Sequence, residues 1–109
     1  MKRRMAEVEE AEELGKLQLP KKGELFAIAD RLFGGSRIKV ICSDGKSRLA
    51  RIPGKLKKKL WVRAGDLVII KPWEFQNEKA DIVWRYTRTQ AVHLSKKGML
   101  PKDLDIFSY

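Results

Sequence analysis

Apolar residues in this 109-residue chain come in short runs cut by glycine or proline. None approaches the roughly 18 consecutive apolar residues that span a bilayer. Such punctuation favours strands joined by tight turns. Glu24–Leu32 is mostly apolar, with Phe26, Ile28 and Leu32 on one alternation and Leu25, Ala27 and Ala29 on the other, as in a strand covered on both faces for part of its length. Gly34-Gly35-Ser36 ends it. Arg37–Cys42 then alternates, with Ile38, Val40 and Cys42 facing one way and Arg37 and Lys39 the other. Asp44-Gly45 predicts a type I′ hairpin, whose central residues both need positive φ. In the return strand, Lys46–Ile52, the apolar Leu49 and Ile52 are three apart, which predicts a bulge near Ala50-Arg51.

After Pro53-Gly54, Lys55–Val62 reads as a short helix with Leu56 and Leu60 inward and the lysines outward. Ala64-Gly65-Asp66 turns into Leu67-Val68-Ile69-Ile70, apolar on both faces. Lys71–Lys79 is a polar loop holding Trp73 and Phe75. Ala80–Tyr86 is a fifth strand, with Ala80, Ile82, Trp84 and Tyr86 on its core side. Thr87 or Thr89 caps a short helix running to Lys97, where Gly98 and Pro101 supply the stop. Three strands, a helical insert and two strands are the element order of an all-β, five-stranded OB-fold barrel; barrels of the SH3 type compete with it. The expected organisation is a flexible charged tail over 1–22, the barrel over 23–87, a C-terminal helix packed on it over 88–101, and a mobile tail over 102–109.

Charge supplies the functional lead. The chain carries 24 Lys+Arg against 14 Asp+Glu, a formal net charge of +10. Between Lys46 and Arg63 stand eight cations and no carboxylate. Mutual repulsion makes that run unfavourable unless solvent or an anion relieves it, and it points to an anionic partner. An OB-fold binds oligonucleotides on its strand 2–3 face and adjoining loops. Arg37 and Lys39 on the second strand, Arg48 and Arg51 on the third, and Lys55, Lys57, Lys58, Lys59 and Arg63 beyond it therefore form a candidate phosphate-binding strip. The guanidiniums can also stack on bases, and Trp61, Trp73 and Phe75 are the candidate aromatic platforms.

Catalytic signals are poor. Gly45-Lys46-Ser47 resembles the end of a phosphate-binding loop, but that motif needs a glycine at position 40, which is Val. His93 has no partner histidine. Cys42 alone makes no disulfide framework, and its alternation with Val40 predicts a buried small side chain. The acidic stretch Ala6–Glu13 stands where the apolar segment of a signal peptide would lie. These features point to a cytoplasmic, monomeric, non-enzymatic protein with no cofactor, no metal and no membrane association.

Three segments carry a family resemblance: Arg31-Leu32-Phe33-Gly34-Gly35-Ser36-Arg37, Cys42-Ser43-Asp44-Gly45, and above all Ile52-Pro53-Gly54-Lys55-Leu56-Lys57-Lys58-Lys59-Leu60-Trp61-Val62, with Lys79-Ala80-Asp81-Ile82 and Tyr86 in support. From Gly23 to Pro101 the chain resembles the translation initiation factor 1A family in its short archaeal form. The resemblance implies an S1-like OB-fold with a short C-terminal helix. It also implies binding to small-subunit rRNA at the A site and decoding region, where the family helps place initiator tRNA and select the start codon with other initiation factors, including the initiation GTPase. Carried over, the RNA-contacting loop falls on Lys55, Lys57, Lys58, Lys59 and Trp61, the hairpin cations on Arg48 and Arg51, and a loop aromatic on Phe75. Asp103-Leu104-Asp105-Ile106-Phe107 is similar in character to the acidic, hydrophobic tail end with which the family engages the GTPase. A general single-stranded RNA-binding protein or RNA chaperone of the same fold is the alternative.

Overall fold

A computed structural model describes residues 18–34, 36–54 and 62–107. The expected helix over Lys55–Val62 lies outside the described residues except at Val62, and so does the charged segment before Gln18.

Alternating and all-apolar runs become five strands: β1 (Leu25–Phe33), β2 (Arg37–Cys42), β3 (Ser47–Arg51), β4 (Leu67–Pro72) and β5 (Lys79–Arg85). They close into a barrel in the order β1-β2-β3-β5-β4, all antiparallel except for the parallel β3–β5 seam. This is the five-stranded OB-fold, and closure leaves the sheet no open edge.

The hairpin between β2 and β3 differs from the expected type I′ turn. Gly45 lies at φ 84°, but Asp44 does not have positive φ. The Gly45 N–H donates to Cys42 O at 2.9 Å and the Cys42 N–H to Lys46 O at 2.9 Å. A three-residue loop ending in a left-handed glycine fits this pattern. Asp44 instead turns its carboxylate back to accept the Lys46 N–H at 3.0 Å.

The bulge expected near Ala50-Arg51 is absent, because β2 and β3 pair without a shift from Arg37↔Arg51 to Ile41↔Ser47. The inward phase of β3 belongs to Arg48 and Ala50, so Leu49 faces outward and its spacing to Ile52 never needed an extra residue. Bulges occur elsewhere, at Asp30 between Ala29 and Arg31 of β1, and opposite the Ile69–Ile70 step of β4, where Val83 is the extra residue.

Two apolar clusters hold the chain together. The barrel interior packs Ala27, Ile38, Val40, Cys42, Val68, Ile70 and Ile82 with their neighbours. The second cluster, on Ile28, Leu67, Ile69 and Tyr86, is covered by the helix α1 (Arg88–Lys96) through Ala91 and Leu94. Thr87 caps α1 in a reciprocal capping box with Gln90. Its far end closes with Gly98 N–H donating to Ser95 O and Met99 N–H to Leu94 O, with Gly98 at φ 70°. Trp84, assigned to the core from its alternation, is half-buried at the margin of this cluster.

Residues 102–107 do not trail away as the expected mobile tail. A 3-10 turn (Lys102–Leu104) brings Leu104 and Phe107 into the second cluster, and Ser95 Oγ donates to Asp105 Oδ1 at 2.6 Å. Leu104 and Phe107, three residues apart in a short, largely polar segment, are too few to set a period that a sequence reading can use, yet together they help seal the cluster against water.

Candidate nucleic-acid interface

Pairing carries the outward residues of four strands into two rows. One row runs Arg31–Lys39–Leu49–Lys79 across β1, β2, β3 and β5. The other runs Phe33–Arg37–Arg51–Asp81 and reaches Lys71 on β4. Arg37 and Arg51 are directly opposite one another, an arrangement that is unfavourable in a sheet unless an anion offsets it. Asp81 is the only carboxylate in these rows. It meets Arg51 Nε at 3.3 Å, with 57% and 36% of the two side chains exposed, so the pair is weak and leaves the guanidinium accessible. Asp81 Oδ1 makes no aligned hydrogen bond.

The connection Trp73–Glu78 folds over the β3–β5 seam. Trp73 N–H donates to Lys79 O at 2.9 Å, which keeps the indole beside the face. Arg51 Cζ lies 5.3 Å and Lys79 Nζ 5.6 Å from its ring centroid, both within cation–π range. Between them opens a depression of about 300 Å³ lined by Arg37, Leu49, Arg51, Trp73 and Lys79. Phe75, at the loop tip, is 96% exposed. On β1, Arg31 Cζ stands 5.8 Å over the Phe33 ring.

Arg48 corrects the sequence reading. Expected to project as a phosphate-binding cation, it takes the inward phase of β3 and is only 4% exposed. Its Nη1 and Nη2 donate to Asp44 Oδ1 and Oδ2 at 3.1 and 2.8 Å, while Nε and Nη2 donate to Asn77 O and Oδ1 at 2.6 and 2.7 Å. This bidentate pair ties the β2–β3 hairpin to the β4–β5 loop. The hydrogen bonds from Arg48 hold the Asp44 carboxyl below the usual carboxylate range. Burial pushes the Cys42 thiol up, so the thiol stays protonated at neutral pH.

Arg37, Lys39 and Arg51 therefore share one face, with Phe75 on the loop beside it. Arg63 is exposed in the turn leading into β4, beside β1, and is not on the β2–β3 ladder. Lys55, Lys57, Lys58, Lys59 and Trp61 lie outside the described residues. The face also contains Arg31, Phe33, Lys71 and Lys79, which the strand-by-strand reading did not select. Arg31 and Phe33 at i and i+2 carried a signal, but only the β1–β2 register shows which way they point. Among the described residues, no three His, Cys, Asp or Glu side chains gather to hold a metal, and no helix is long and apolar enough to cross a membrane.

Comparison with known proteins gives one result. The family model for Translation initiation factor 1A / IF-1 matches residues 14–108. The chain is 57% identical over 101 residues to "Translation initiation factor 1A" of Thermoplasma volcanium, covering 91% of this chain and 82% of that protein. The protein of the same name from Thermoplasma acidophilum is 55% identical over 91% and 85%, and that of Methanopyrus kandleri 54% over 82% and 80%. Among solved structures, the crystal structure of YjeQ from Thermotoga maritima superposes with a TM-score of 0.50 at 22% identity, over 60% of this chain and 23% of that one, a likeness of fold.

Proposed function

This chain belongs to the translation initiation factor 1A family, and from that premise we propose that it binds small-subunit rRNA in the A site and decoding region. There it promotes initiator-tRNA placement and start-codon selection, together with other initiation factors including the initiation GTPase. Its relatives are named translation initiation factors, and in this role the chain performs no catalytic step. The carrying observation is the outer barrel face, where Arg31, Arg37, Lys39, Arg51, Lys71 and Lys79 stand in two paired rows that contain one carboxylate, Asp81.

Cations spread over a sheet suit a phosphate backbone better than a point charge. The face supplies counterion-release affinity, the loop supplies aromatic surface, and the shape of the RNA pocket fixes register. Lys55, Lys57, Lys58, Lys59 and Trp61 extend the contact along the chain, and Arg63 adds a charge at the β1–β4 side. With about six phosphates engaged, log K falls against log salt with a slope of roughly −4 to −5.

The test is cosedimentation with small subunits, large subunits and free single-stranded RNA, followed by mapping of protected rRNA bases. Strong preference for small subunits, with protection confined to the decoding region, supports the reading. Equal binding to free single strands replaces it with a general single-strand binder.

A further inference from the structure

We propose that the cationic rows of the outer barrel face are covered, when no RNA is bound, by this chain's own acidic segment Glu7–Glu13. The proposal rests on the reading of that face as an anion-binding surface and goes further by naming its occupant in the RNA-free protein. Three observations carry it. First, the barrel leaves its own charge unrelieved. Arg37 and Arg51 stand directly opposite one another, and Arg31, Lys39, Lys71 and Lys79 join them in rows whose one carboxylate, Asp81, makes only a weak pair with Arg51. Secondly, the sequence holds a complementary block. Glu7, Glu9, Glu10, Glu12 and Glu13 fall between Met5 and Gly15 with no cation among them. Thirdly, the segment starts from a fixed point within reach of the face. Tyr86, a buried side chain, donates its O–H to Gln18 O, and burial pushes its pKa up, so the donor keeps its proton at neutral pH. Tyr86 N–H donates to Leu67 O at 3.0 Å at the start of β4, and four residues along that strand Lys71 pairs with Asp81. Four strand residues span roughly 13 Å, and Arg51 and Arg37 stand one and two strand spacings across from Asp81, about 5 and 10 Å. Glu13 and Glu7 are five and eleven residues upstream of Gln18, lengths over which extended chain covers up to roughly 17 and 38 Å. Glu7, Glu9 and Glu10 therefore reach the arginine pair with slack.

The helix α1 is the rival surface. It too lacks a carboxylate, but its exposed cations Arg88 and Lys96 stand just over two turns apart, whereas the barrel face clusters its charge. Lys2, Arg3 and Arg4 precede the glutamates and Lys16 follows them, so none interrupts the block. Exposed ion pairs are individually weak, and tethering supplies what they lack: a short linker gives an effective concentration in the millimolar range, which favours the covered state about 3- to 10-fold. A penalty of that size leaves a tight partner bound and sheds loosely held RNA, whose affinity rests on phosphate attraction alone.

The test uses the full chain with a nitroxide spin label on Ala11→Cys, which keeps all five glutamates. The native Cys42 is 1% exposed and burial keeps its thiol protonated, so it does not compete for the label. At about 50 mM salt the label broadens the amide signals of Arg37, Lys39, Arg51 and Lys79, and about 0.5 M salt restores them. A saturating uridine hexamer restores them as well. Glu7→Gln, Glu9→Gln, Glu10→Gln, Glu12→Gln and Glu13→Gln, combined in the labelled chain, remove the broadening. Without the label, the same five substitutions tighten hexamer binding by about 3- to 10-fold at about 50 mM salt and leave it unchanged at about 0.5 M. Broadening that survives the glutamine substitutions, or that falls on α1 in place of the barrel face, overturns the proposal. Either result in a chain that still binds small subunits leaves the ribosomal reading intact. Conversely, glutamate-dependent broadening of the face in a chain that ignores small subunits sinks the ribosomal reading and leaves the acidic cover.

Discussion

Arg48→Met separates a structural role for this guanidinium from the phosphate contact that its place in the cation run suggests. The substitution removes four hydrogen bonds, two to Asp44 and two to Asn77, from a side chain that is 4% exposed. Hydrogen bonds to charged groups contribute about 1.5–3 kcal/mol each when isolated, but these four act as one unit. The released acceptors belong to residues at the surface, with 32% of the Asp44 side chain exposed, so water recovers most of their cost. The methionine stem also keeps some packing. The expected loss is about 2 kcal/mol, or a Tm lower by roughly 8–16 °C for a domain of this size. Asp44→Ala is expected to cost more, about 3 kcal/mol, because it leaves the interior guanidinium without its carboxylate.

The pH dependence follows from the lowered Asp44 carboxyl. The unfolded chain binds the proton more readily, so the stabilisation is complete above the unfolded value of about 3.9 and is lost as pH falls through the lower folded value. The gap between wild type and Asp44→Ala therefore closes in acid. Urea melts at pH 7 and pH 3 measure both effects, and RNA titration against salt supplies the third readout. Since Arg48 is almost wholly buried and paired with Asp44, Arg48→Met leaves the salt slope unchanged. A variant as stable as wild type whose slope is flatter by about 0.7–0.9 would refute the interior assignment.

Three further outcomes are expected. Neutralising Lys57, Lys58 and Lys59 together weakens small-subunit binding and flattens the salt slope by roughly 2–3, with Tm nearly unchanged; unaltered affinity in a salt titration removes that loop from the interface. Phe75→Ala, at a side chain 96% exposed, leaves the unfolding free energy from urea melts within about 0.5 kcal/mol of wild type while reducing subunit affinity in a filter-binding assay. Leu104→Ala, at a side chain 1% exposed, destabilises by about 2–5 kcal/mol in the same melts, whereas a free tail would show no change.

How much was legible in the sequence divides along local and non-local physics. Strand and turn positions depend on side-chain alternation and on where glycine and proline interrupt it, so β2, β4 and a threonine cap for α1 could be read within a few residues. Membership of a cationic OB-fold class was readable for the same reason, and the Gly54–Val62 motif carried the family. Arg48 was misread because alternation assumes that the inward phase is apolar, and the carboxylate and amide that satisfy it come from a hairpin four residues away and a loop 29 residues away. The C-terminal segment was misread because Leu104 and Phe107 acquire meaning only against Ile28, Leu67 and Tyr86, distant in the chain. Composition and spacing alone determined that this chain forms a small barrel and carries an excess of positive charge. Barrel closure decided which of those charges stand together, because only strand register converts separate alternations into a shared surface, bringing Trp73 under Arg51 and turning Arg48 inward.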